Sequence, residues 1–551
     1  MPRRASRSRA FKKEGRCRCR AELRGSMTVL RVVSQSAEAT ADGAASANNS
    51  AAAAAGGTAH VYAGGSRAVN CRLDSSTLSS AGCAPVTQSP RAPEAQDDLL
   101  AALDATIARA RRSELYRERL AGVRVRTLAD VAAIPLTTRA DLQQAGVNGT
   151  RAAPLAAICH YGESSGTSGA SNSVWLTPGD LDRSAQAMRA AHPDVFAPGR
   201  VILNRFPFMA APAHLMQLIA QSGGGVAVPA GNINWDVPFP RALELAQRTG
   251  ACVLAALPLE PVVLGALARA RGLDPARDLG FDALFLGGAP LPPALQARLA
   301  RDWGARVIEL YGSTETMLLG TSCTAGALHL ETTLAHCEVI VPETGEPAPP
   351  GGEGRLVVTT LSLEGSPLVR FDTGDVVRQS RVPCRCGSLR PSLTVLGRAD
   401  ERLDLAGHRL YPYELIDAGA AAADALASAI FFIAVLPDRV LVRIEGLQAV
   451  ADPVAAFRAR LPGVVVEVEE VGPNELLDVE MLSRSPRVYK PIVLADWRRP
   501  GRKVLTVVEG MMEWPRPGWA ESRRWLTRKL RTARRRRRLA REVRLAARAE
   551  R

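Results

Sequence analysis

Residues 283–315 read "ALFLGGAPLPPALQARLARDWGARVIELYGSTE", and this stretch decides the fold class. A short apolar run leads into a glycine-rich loop. A helical pattern follows, then a second apolar run, and the stretch ends in a loop rich in hydroxyl groups. Short β-rich runs around a helical pattern predict a strand–helix–strand unit. Two strands connected in this way are expected to lie parallel, with a right-handed crossover between them.

The same alternation occurs upstream, where the runs "RVILNRF", "GVAVPA" and "ACVLAAL" each precede a helical pattern. The sequence therefore predicts an α/β fold with layers of helices on a parallel sheet. From about Val339 the texture changes to strands punctuated by turns, which predicts an antiparallel or barrel-like part. A smaller α+β unit is expected beyond it. The predicted divisions are a disordered low-complexity extension (1–90), a large domain (91–397), a small mobile domain (398–505) and a basic tail (506–551).

Charge is concentrated at the two ends of the chain. The net charge is +15, yet residues 1–31 contribute +9 and residues 514–551 contribute +12, which leaves −6 for the body. The arginine-rich C-terminal run can contact RNA or an anionic membrane, although such runs are more often solvated ends. At the other end, the Arg/Ser-rich start has no apolar core like that of a secretory signal. It is interpreted as a transit peptide or as an extension upstream of a true start at or after Met27.

Cysteine usage and hydropathy indicate in which cellular compartment the protein is expected. Ten cysteines in 551 residues show no disulfide framework, which favours a reducing cytoplasm. No apolar run reaches the length of about 18 residues that a membrane span needs. We therefore expect a cytoplasmic protein without a membrane span.

Three polar loops lie where predicted strands end: "SSGTSG" at 164–169, "GGAP" at 287–290 and "YGSTE" at 311–315. The first alone is compatible with a flexible linker, and it lacks the Lys-Ser or Lys-Thr of a Walker loop. However, ligands of open α/β sheets bind at the carboxyl ends of the strands. Three such loops together indicate one shared anionic ligand.

Further polar residues suit a nucleotide. Glu315 offers a carboxylate for the Mg²⁺ of a bound phosphate. Asp375, in "RFDTGD", can accept both hydroxyls of a ribose, and Arg398, in "LGRADE", presents a guanidinium fork to phosphate or ribose oxygens. Each motif alone is compatible with a plain turn, but their combination and order point to ATP.

These motifs, together with "LADVAAIPLTTRADL", "VIELYGSTE" and "GRADERLDLAGHRLYPYELI", give the chain a specific resemblance from about Leu99 to Arg499. The chain resembles the AMP-forming adenylate-forming superfamily, and within it the phenylacetate–coenzyme A ligase family. The resemblance implies the adenylate-forming fold, with the large domain binding ATP and an acid. It also implies activation of a carboxylic acid to an acyl-adenylate, followed by transfer to the thiol of coenzyme A.

The resemblance assigns roles position by position. The loop SSGTSG at 164–169, which we name the phosphate loop, would hold the β- and γ-phosphates of ATP. The GGAP loop would line the adenine, with Tyr311 near it. Thr314 would hold the α-phosphate, and Glu315 would bind the Mg²⁺. Asp375 would bind the ribose hydroxyls, and Arg398 would assist. The nucleotide-binding residues are thus expected to be Ser164, Ser165, Gly166, Thr167, Ser168, Gly169, Gly288, Ala289, Pro290, Glu309, Leu310, Tyr311, Gly312, Ser313, Thr314, Asp375 and Arg398.

Lys490 stands where the family has its mobile catalytic lysine, and the resemblance favours it over Lys503. Its catalytic partners would be Thr314 and Glu315. Three positions depart from the family pattern: Ala170 replaces a Lys after the phosphate loop, Glu401 replaces a second Asp, and Tyr489 replaces the Gly before the lysine. The small domain would swing about a hinge at Arg398–Asp400, so that one domain serves both half-reactions.

A second constellation consists of cysteines and histidine. Cys323 and His329 in "CTAGALH", with Cys384 and Cys386 in "CRC", can close a tetrahedral zinc site of the Cys₃His type. The resemblance supports a structural Zn²⁺ there. His336 and Cys337 are competing ligands.

The acid pocket is expected around "NRFPFMAAPAHLMQL", with Phe206, Phe208, Met209 and His214 as lining. An apolar pocket with aromatic walls favours an aryl or arylacetic acid. Alternatives are transfer of the acyl group to a carrier protein, or a degenerate adenylate-binding protein. Nucleic acid is expected at most at the basic tail.

Overall fold

The computed structural model describes residues 92–164, 171–232, 237–380, 382–405, 407–479, 492–500, 503–507 and 519–549. The predicted extension of residues 1–90 lies outside these ranges. The helices are α1 (Ala92–Ala110), α2 (Glu114–Arg117), α3 (Leu128–Ala132), α4 (Arg139–Ala145), α5 (Pro178–Ala191), α6 (Ala211–Ser222), α7 (Phe239–Thr249), α8 (Glu260–Ala270), α9 (Pro275–Asp278), α10 (Pro293–Trp303), α11 (Pro412–Asp424), α12 (Pro453–Arg460) and α13 (Trp519–Ala549). The strands are β1 (His160–Glu163), β2 (Ser173–Leu176), β3 (Val201–Asn204), β4 (Val226–Pro229), β5 (Val253–Ala256), β6 (Ala283–Gly287), β7 (Arg306–Ser313), β8 (Met317–Ser322), β9 (Leu328–Leu330), β10 (Ala335–Ile340), β11 (Glu353–Thr360), β12 (Phe371–Gln379), β13 (Ser392–Arg398), β14 (Leu403–Leu405), β15 (His408–Leu410), β16 (Phe431–Val435), β17 (Val440–Glu445), β18 (Val466–Val471) and β19 (Leu494–Asp496).

The predicted parallel layer is confirmed. Strands β4, β3, β5, β6 and β7 lie side by side in that order, and all are parallel. Strands β5 and β6 are buried along their whole length because helices cover both faces. Leu284 and Leu286 pack in one apolar cluster with α7, α8 and α10, whereas Ala283 and Phe285 pack in another with α5 and α6.

The helix between β6 and β7 shows why its sequence ends where it does. Pro293 occupies the first turn of α10, where no backbone N–H is needed. Gly304 follows the last turn with φ of +59° in the left-handed region, which glycine adopts without strain. Between them, Leu295, Leu299 and Trp303 recur at four-residue spacing and are buried. The helix therefore buries one face against the sheet.

The strands beyond Val339 are antiparallel, as predicted, but their arrangement differs from a barrel. They continue the same eleven-stranded sheet in the order β7, β8, β9, β13, β12, β11, β10. The sheet is open, with β10 at one edge and β4 at the other. The part expected to be barrel-like is therefore the antiparallel half of one open sheet.

The predicted α+β unit is present after β13. Its four-stranded sheet has the order β18, β17, β16, β19, and α11 and α12 pack together beside it. Residues of this unit share one apolar cluster with α7, α8 and α10 of the large sheet. The domain boundary at 397/398 and the mobility of the small domain stay predictions.

The basic tail is not solvated all round, which corrects that part of the expectation. Helix α13 packs against the small sheet, where Leu539 is fully buried. Arg535 forms ion pairs with Glu467 and Glu469 of β18, and Glu542 pairs with Arg439. Within the described ranges, none of the helices has the length and apolarity to cross a bilayer.

Candidate active site

The phosphate loop begins at the end of β1. The backbone N–H of Ser164 donates to the Asn172 carbonyl over 3.0 Å, and the N–H of Asn172 donates back to Ser164 Oγ over 2.9 Å. These bonds close the base of the loop that joins β1 to β2. The predicted phosphate ligands Ser165, Gly166, Thr167, Ser168 and Gly169, together with Ala170, lie outside the described residues.

Glu315 lies buried beside the base of this loop. Asn172 Nδ2 donates to its Oε1 over 2.6 Å, and the Arg139 guanidinium lies 3.9 Å from the same oxygen. The Oδ1 atom of Asn172 is buried and has no hydrogen-bond partner among the described residues. A carboxylate and an amide oxygen are ligands that Mg²⁺ accepts. The donor set therefore fits the Mg²⁺ predicted at Glu315.

A tight turn places Thr314 and Glu315. Strands β7 and β8 are antiparallel neighbours, and their register shifts between Tyr311 and Gly312. A Cβ on Gly312 would lie 2.1 Å from the carbonyl oxygen of Met317, so only glycine fits there. The Ser313 and Thr316 hydroxyls lie 3.0 Å apart and close the turn.

The loops after β6 and β7 leave the same edge of the sheet, because these strands are parallel neighbours. Gly288 follows β6 with φ of +83°, and Ala289 and Pro290 are partly exposed beside it. Leu310 differs from the other predicted site residues, since its side chain packs against the apolar cluster under α5 and α6. Any nucleotide contact of Leu310 would therefore use its backbone.

Asp375, Tyr311 and Arg398 form one cluster. The Tyr311 hydroxyl donates to Asp375 Oδ2 over 2.7 Å, and the Arg398 guanidinium lies 3.3 Å from Oδ1. Asp375 and Arg398 are directly opposite each other on β12 and β13. Burial raises the pKa of Asp375, while Tyr311 and Arg398 oppose that rise by favouring the carboxylate. Burial of Tyr311 raises the pKa of its hydroxyl group, and the negative charge of Asp375 raises it further.

Glu309 lines a cleft of about 750 Å³. Gln296 of α10, Thr394 of β13 and Tyr413 of α11 also line this cleft. Burial raises the pKa of Glu309 from 4.5 to about 7. Among the predicted nucleotide-binding residues that the structure describes, Glu309 is the only one that lines this cleft. Its place beside adenine therefore stays a prediction.

Replacing Glu309 with Gln should stabilise the protein more at pH 8 than at pH 5. Because its pKa is raised to about 7, the folded state opposes ionisation of Glu309. The free energy of unfolding therefore falls as the pH rises from below 4.5 to above 7. Since Gln is always neutral, the stabilisation by this substitution should be about 2 kcal/mol larger at pH 8 than at pH 5. Urea unfolding at both pH values measures this change in the free energy of unfolding, and the substitution Glu118→Gln at an exposed position is the control. An equal gain in stability at both pH values would contradict the raised pKa of Glu309.

The predicted acid-pocket residues divide into two groups. Phe206 is core, with 3% of its surface exposed, whereas Phe208 and Met209 are 40% and 58% exposed. His214 stacks on His160, with ring centroids 4.8 Å apart and nearly parallel planes. Burial lowers the pKa of both imidazoles, so both are neutral near pH 7. Phe208, Met209 and the histidine pair are therefore the side chains available to a ligand.

The four predicted metal ligands come together, and their ligand atoms all lie within 4.8 Å of one another. Cys323 Sγ lies 3.6 Å from Cys384 Sγ, and Cys386 Sγ lies 3.4 Å from His329 Nε2. Zinc bound tetrahedrally at about 2.3 Å from sulfur separates its ligands by roughly 3.8 Å. His329 Nδ1 lies 2.9 Å from the Arg390 carbonyl, which only accepts, so Nε2 is free to bind metal. The residues fit Zn²⁺.

The competing ligands are excluded from this cluster. His336 and Cys337 lie on β10, which pairs with β11 at the edge of the sheet. Burial raises the pKa of Cys337 to about 12, so its thiol stays protonated. By contrast, the Ser388 backbone N–H and neighbouring thiols lower the pKa of Cys386 to about 7.

The two candidate lysines are in different situations. Lys490 and Tyr489 lie outside the described residues. Lys503 Nζ donates to the backbone carbonyls of Trp497 and Arg499. Because its ammonium group holds this loop together, Lys503 is poorly suited to reach a substrate. This observation favours Lys490, which stays a prediction.

The hinge predicted at Arg398–Asp400 coincides with a short 3₁₀ helix, Ala399–Glu401. Glu401 accepts from the backbone N–H of Arg398 over 3.3 Å, so the Glu at this position caps the helix. Arg499 donates to the backbone carbonyls of Asp400 and Arg402.

Comparison with known proteins identifies the family of the chain. The sequence model of the family described as "AMP-binding enzyme" matches residues 80–363, which is more than half of the chain. A phenylacetate-coenzyme A ligase of Thermus thermophilus is 29% identical over 297 residues, covering 53% of this chain and 66% of the relative. A phenylacetate-coenzyme A ligase of Escherichia coli is 26% identical over 309 residues, again covering 53% of this chain and 66% of the relative. The chain thus spans slightly less than two-thirds of the length of these relatives.

Solved structures show the same fold. The 2-hydroxyisobutyryl-CoA ligase in its postadenylation state with 2-HIB-AMP superimposes with a TM-score of 0.63 at 20% identity. That match covers 75% of this chain and 94% of the ligase. The same ligase with 2-HIB-AMP and CoA, in the thioesterification state, gives a TM-score of 0.52, with 74% and 90% covered.

Proposed function

The chain belongs to the AMP-binding enzyme family, and from this premise we propose that it activates a carboxylic acid with ATP and transfers the acyl group to coenzyme A. In the first half-reaction, a carboxylate oxygen of the acid attacks the α-phosphorus of ATP, and pyrophosphate leaves. In the second, the thiol sulfur attacks the acyl carbon, AMP leaves, and the thiol proton is released. The products are acyl-CoA, AMP and pyrophosphate.

One observation carries the proposal: the end of β7 lies between the candidate ribose acceptor and the base of the predicted phosphate loop. Tyr311 bonds to Asp375, the candidate ribose acceptor, and four residues later Glu315 bonds to Asn172 at the base of the phosphate loop. A nucleotide with its ribose at Asp375 would therefore extend its phosphates towards Glu315. This polarity matches the order of groups in ATP.

Attack of a carboxylate on a phosphate needs charge neutralisation rather than a covalent nucleophile. Glu315 would hold Mg²⁺, which when bound offsets the negative charge of the phosphate oxygens. Asn172 orients the Glu315 carboxylate, and Arg139 adds a positive charge beside it. Lys490 would bridge the substrate carboxylate and the α-phosphate. Thr314 and the phosphate loop would supply neutral donors.

For the acid, we propose an aryl or arylacetic acid. The exposed ring of Phe208 packs over Gly231 beyond β4, since a Cβ on Gly231 would lie 2.7 Å from that ring. Met209 and the neutral His160–His214 pair add apolar and polarisable surface. The phenylacetate-coenzyme A ligases among the relatives support the same class. We further propose that Zn²⁺ occupies the Cys₃His cluster with a structural role, because its four ligands leave no open position.

Product analysis tests the function. The full chain is incubated with ATP, Mg²⁺ and each of a panel of aryl, arylacetic and fatty acids, with and without coenzyme A, and AMP and thioester are measured. The proposal expects thioester and stoichiometric AMP with an aromatic acid, only when coenzyme A is present. AMP that accumulates at the same rate without coenzyme A would contradict coenzyme A as the acceptor, because the acyl group would then be passing to water.

A further inference from the structure

The C-terminal helix α13 has two different faces. Its inner face packs on the small sheet through Leu539, with Ala540 and Val543 partly buried beside it. Ion pairs with Glu467 and Glu469 fix the inward-facing Arg535. A helix held in this way presents its opposite face in a fixed orientation.

The outer face carries a row of exposed arginines. They recur at three- and four-residue spacing, which places them on one side of the helix. Arg538 pairs with Glu542, and the others form no ion pair within the described part of the chain. The row spans roughly 15 Å at 1.5 Å per residue. We name it the arginine row, and its members are Arg534, Arg537, Arg538, Arg541 and Arg544.

Among the acids described near it, only Glu542 pairs with a member of the arginine row, Arg538. The acidic groups that face α13 from the small sheet, Glu467 and Glu469, already pair with Arg535, and Glu475 pairs with Arg531. Glu542 is shared between Arg439 and Arg538. A ligand of this surface must therefore bring several negative charges of its own, about as closely spaced as the arginines.

A membrane surface fits less well than a phosphodiester chain. An amphipathic helix binds a bilayer through its apolar face, but that face of α13 is already packed on the sheet. The exposed leucines, Leu530 and Leu545, lie on the same face at opposite ends of the arginine row, so they do not form a continuous apolar surface. Arginine forks match phosphate oxygens in geometry as well as charge.

We propose that the arginine row binds the phosphate backbone of a nucleic acid without reading base sequence. The outer residues described here include no aromatic side chain on which a base could stack, so the contact is electrostatic. For about four phosphates neutralised on duplex DNA, affinity should fall roughly 10²-fold between 50 and 200 mM salt. Binding is expected to be independent of the acid and of ATP.

Fluorescence anisotropy of a labelled 20-base-pair DNA duplex, titrated with the full chain at several salt concentrations, tests the proposal. Replacing Arg534, Arg537, Arg541 and Arg544 together with Gln should weaken binding at least tenfold and flatten the salt dependence. The same four positions changed to Lys should keep most of the affinity. The charge-matched control changes four exposed arginines near the start of the described chain to Gln: Arg112, Arg117, Arg124 and Arg126.

Three results would overturn the proposal. The first is equal weakening in the outer-face and control variants, which would show a response to net charge alone. The second is unchanged binding in the outer-face Gln variant. The third is loss of sedimentation with phosphatidylserine-containing vesicles without any change in DNA binding, which would assign the row to membranes. Acid-dependent release of AMP, measured on the same variants, should stay at the wild-type level and so verifies that they are folded.

Discussion

Glu315→Gln should lower acid-dependent exchange of pyrophosphate into ATP by about 10²–10³-fold, the range seen when one transition-state electrostatic contact is removed. The change keeps the size of the side chain and an oxygen that can accept from Asn172 Nδ2. It removes the negative charge that would hold Mg²⁺, so the main loss should be in catalysis and in the Mg²⁺ requirement. Exchange rates measured across a Mg²⁺ titration give both quantities.

The matched control is Glu338→Gln. Glu338 is also a largely buried carboxylate that pairs with an arginine, Arg370, but it lies on β10 away from the candidate site. If both variants lose exchange to the same extent, the loss reflects folding. If Glu315→Gln keeps the wild-type rate and Mg²⁺ requirement, Glu315 is not the metal ligand.

Loss of zinc is the second large effect that we expect. The purified protein should contain about one Zn²⁺ per chain, and Cys384→Ser should abolish that occupancy. Structural zinc contributes apparent binding free energies of about 10–16 kcal/mol in small peptides. Loss of even a fraction of that free energy should lower the thermal midpoint by many degrees, because the total free energy of unfolding of a protein is only about 5–15 kcal/mol. Metal analysis and thermal unfolding, with and without chelator, measure the two quantities.

Cys159→Ser is the control for that substitution. Cys159 is exposed and outside the metal cluster, so its replacement should change neither zinc content nor the thermal midpoint. Near-zero zinc in wild-type protein, together with an unfolding curve that chelator does not shift, would refute the metal site.

The sequence predicted the parallel half of the sheet because its information is local. Strands β5 and β6 are continuous apolar runs, each followed by a helical pattern and a turn. The candidate nucleotide-site residues were recognised for the same reason, since Tyr311 and Glu315 stand in one short motif. The four candidate zinc ligands were recognised as two short pairs, whose spacing is chemically informative without any structure.

What the sequence did not reveal depends on tertiary contacts. Asn172 and Arg139 join Glu315 only after folding, and Asn172 is 143 residues away from it. Asn172 follows the Gly/Ser loop, and Arg139 lies in a stretch already identified as typical of the family, so position offered a weak signal for both. His160 was missed because nothing local pairs it with His214.

The tail was misjudged for a different physical reason. Its arginine content dominates the composition, so the sparse apolar residues Leu539, Ala540 and Val543 gave no visible stripe. Their burial is supported by ion pairs whose partners, Glu467 and Glu469, belong to a distant strand. The antiparallel strands were predicted, but whether they close or remain open depends on pairing that local pattern does not encode.

Activation of an acid by ATP is tested most directly by acid-dependent exchange of labelled pyrophosphate into ATP, compared for wild type, Lys490→Ala and Lys503→Ala. We expect exchange with aryl or arylacetic acids, its loss in Lys490→Ala, and its retention in Lys503→Ala, because the Lys503 ammonium group bonds to backbone carbonyls of its own loop. Absence of exchange with every acid, although the protein binds ATP, would contradict acid activation and favour a protein that binds nucleotide without catalysis.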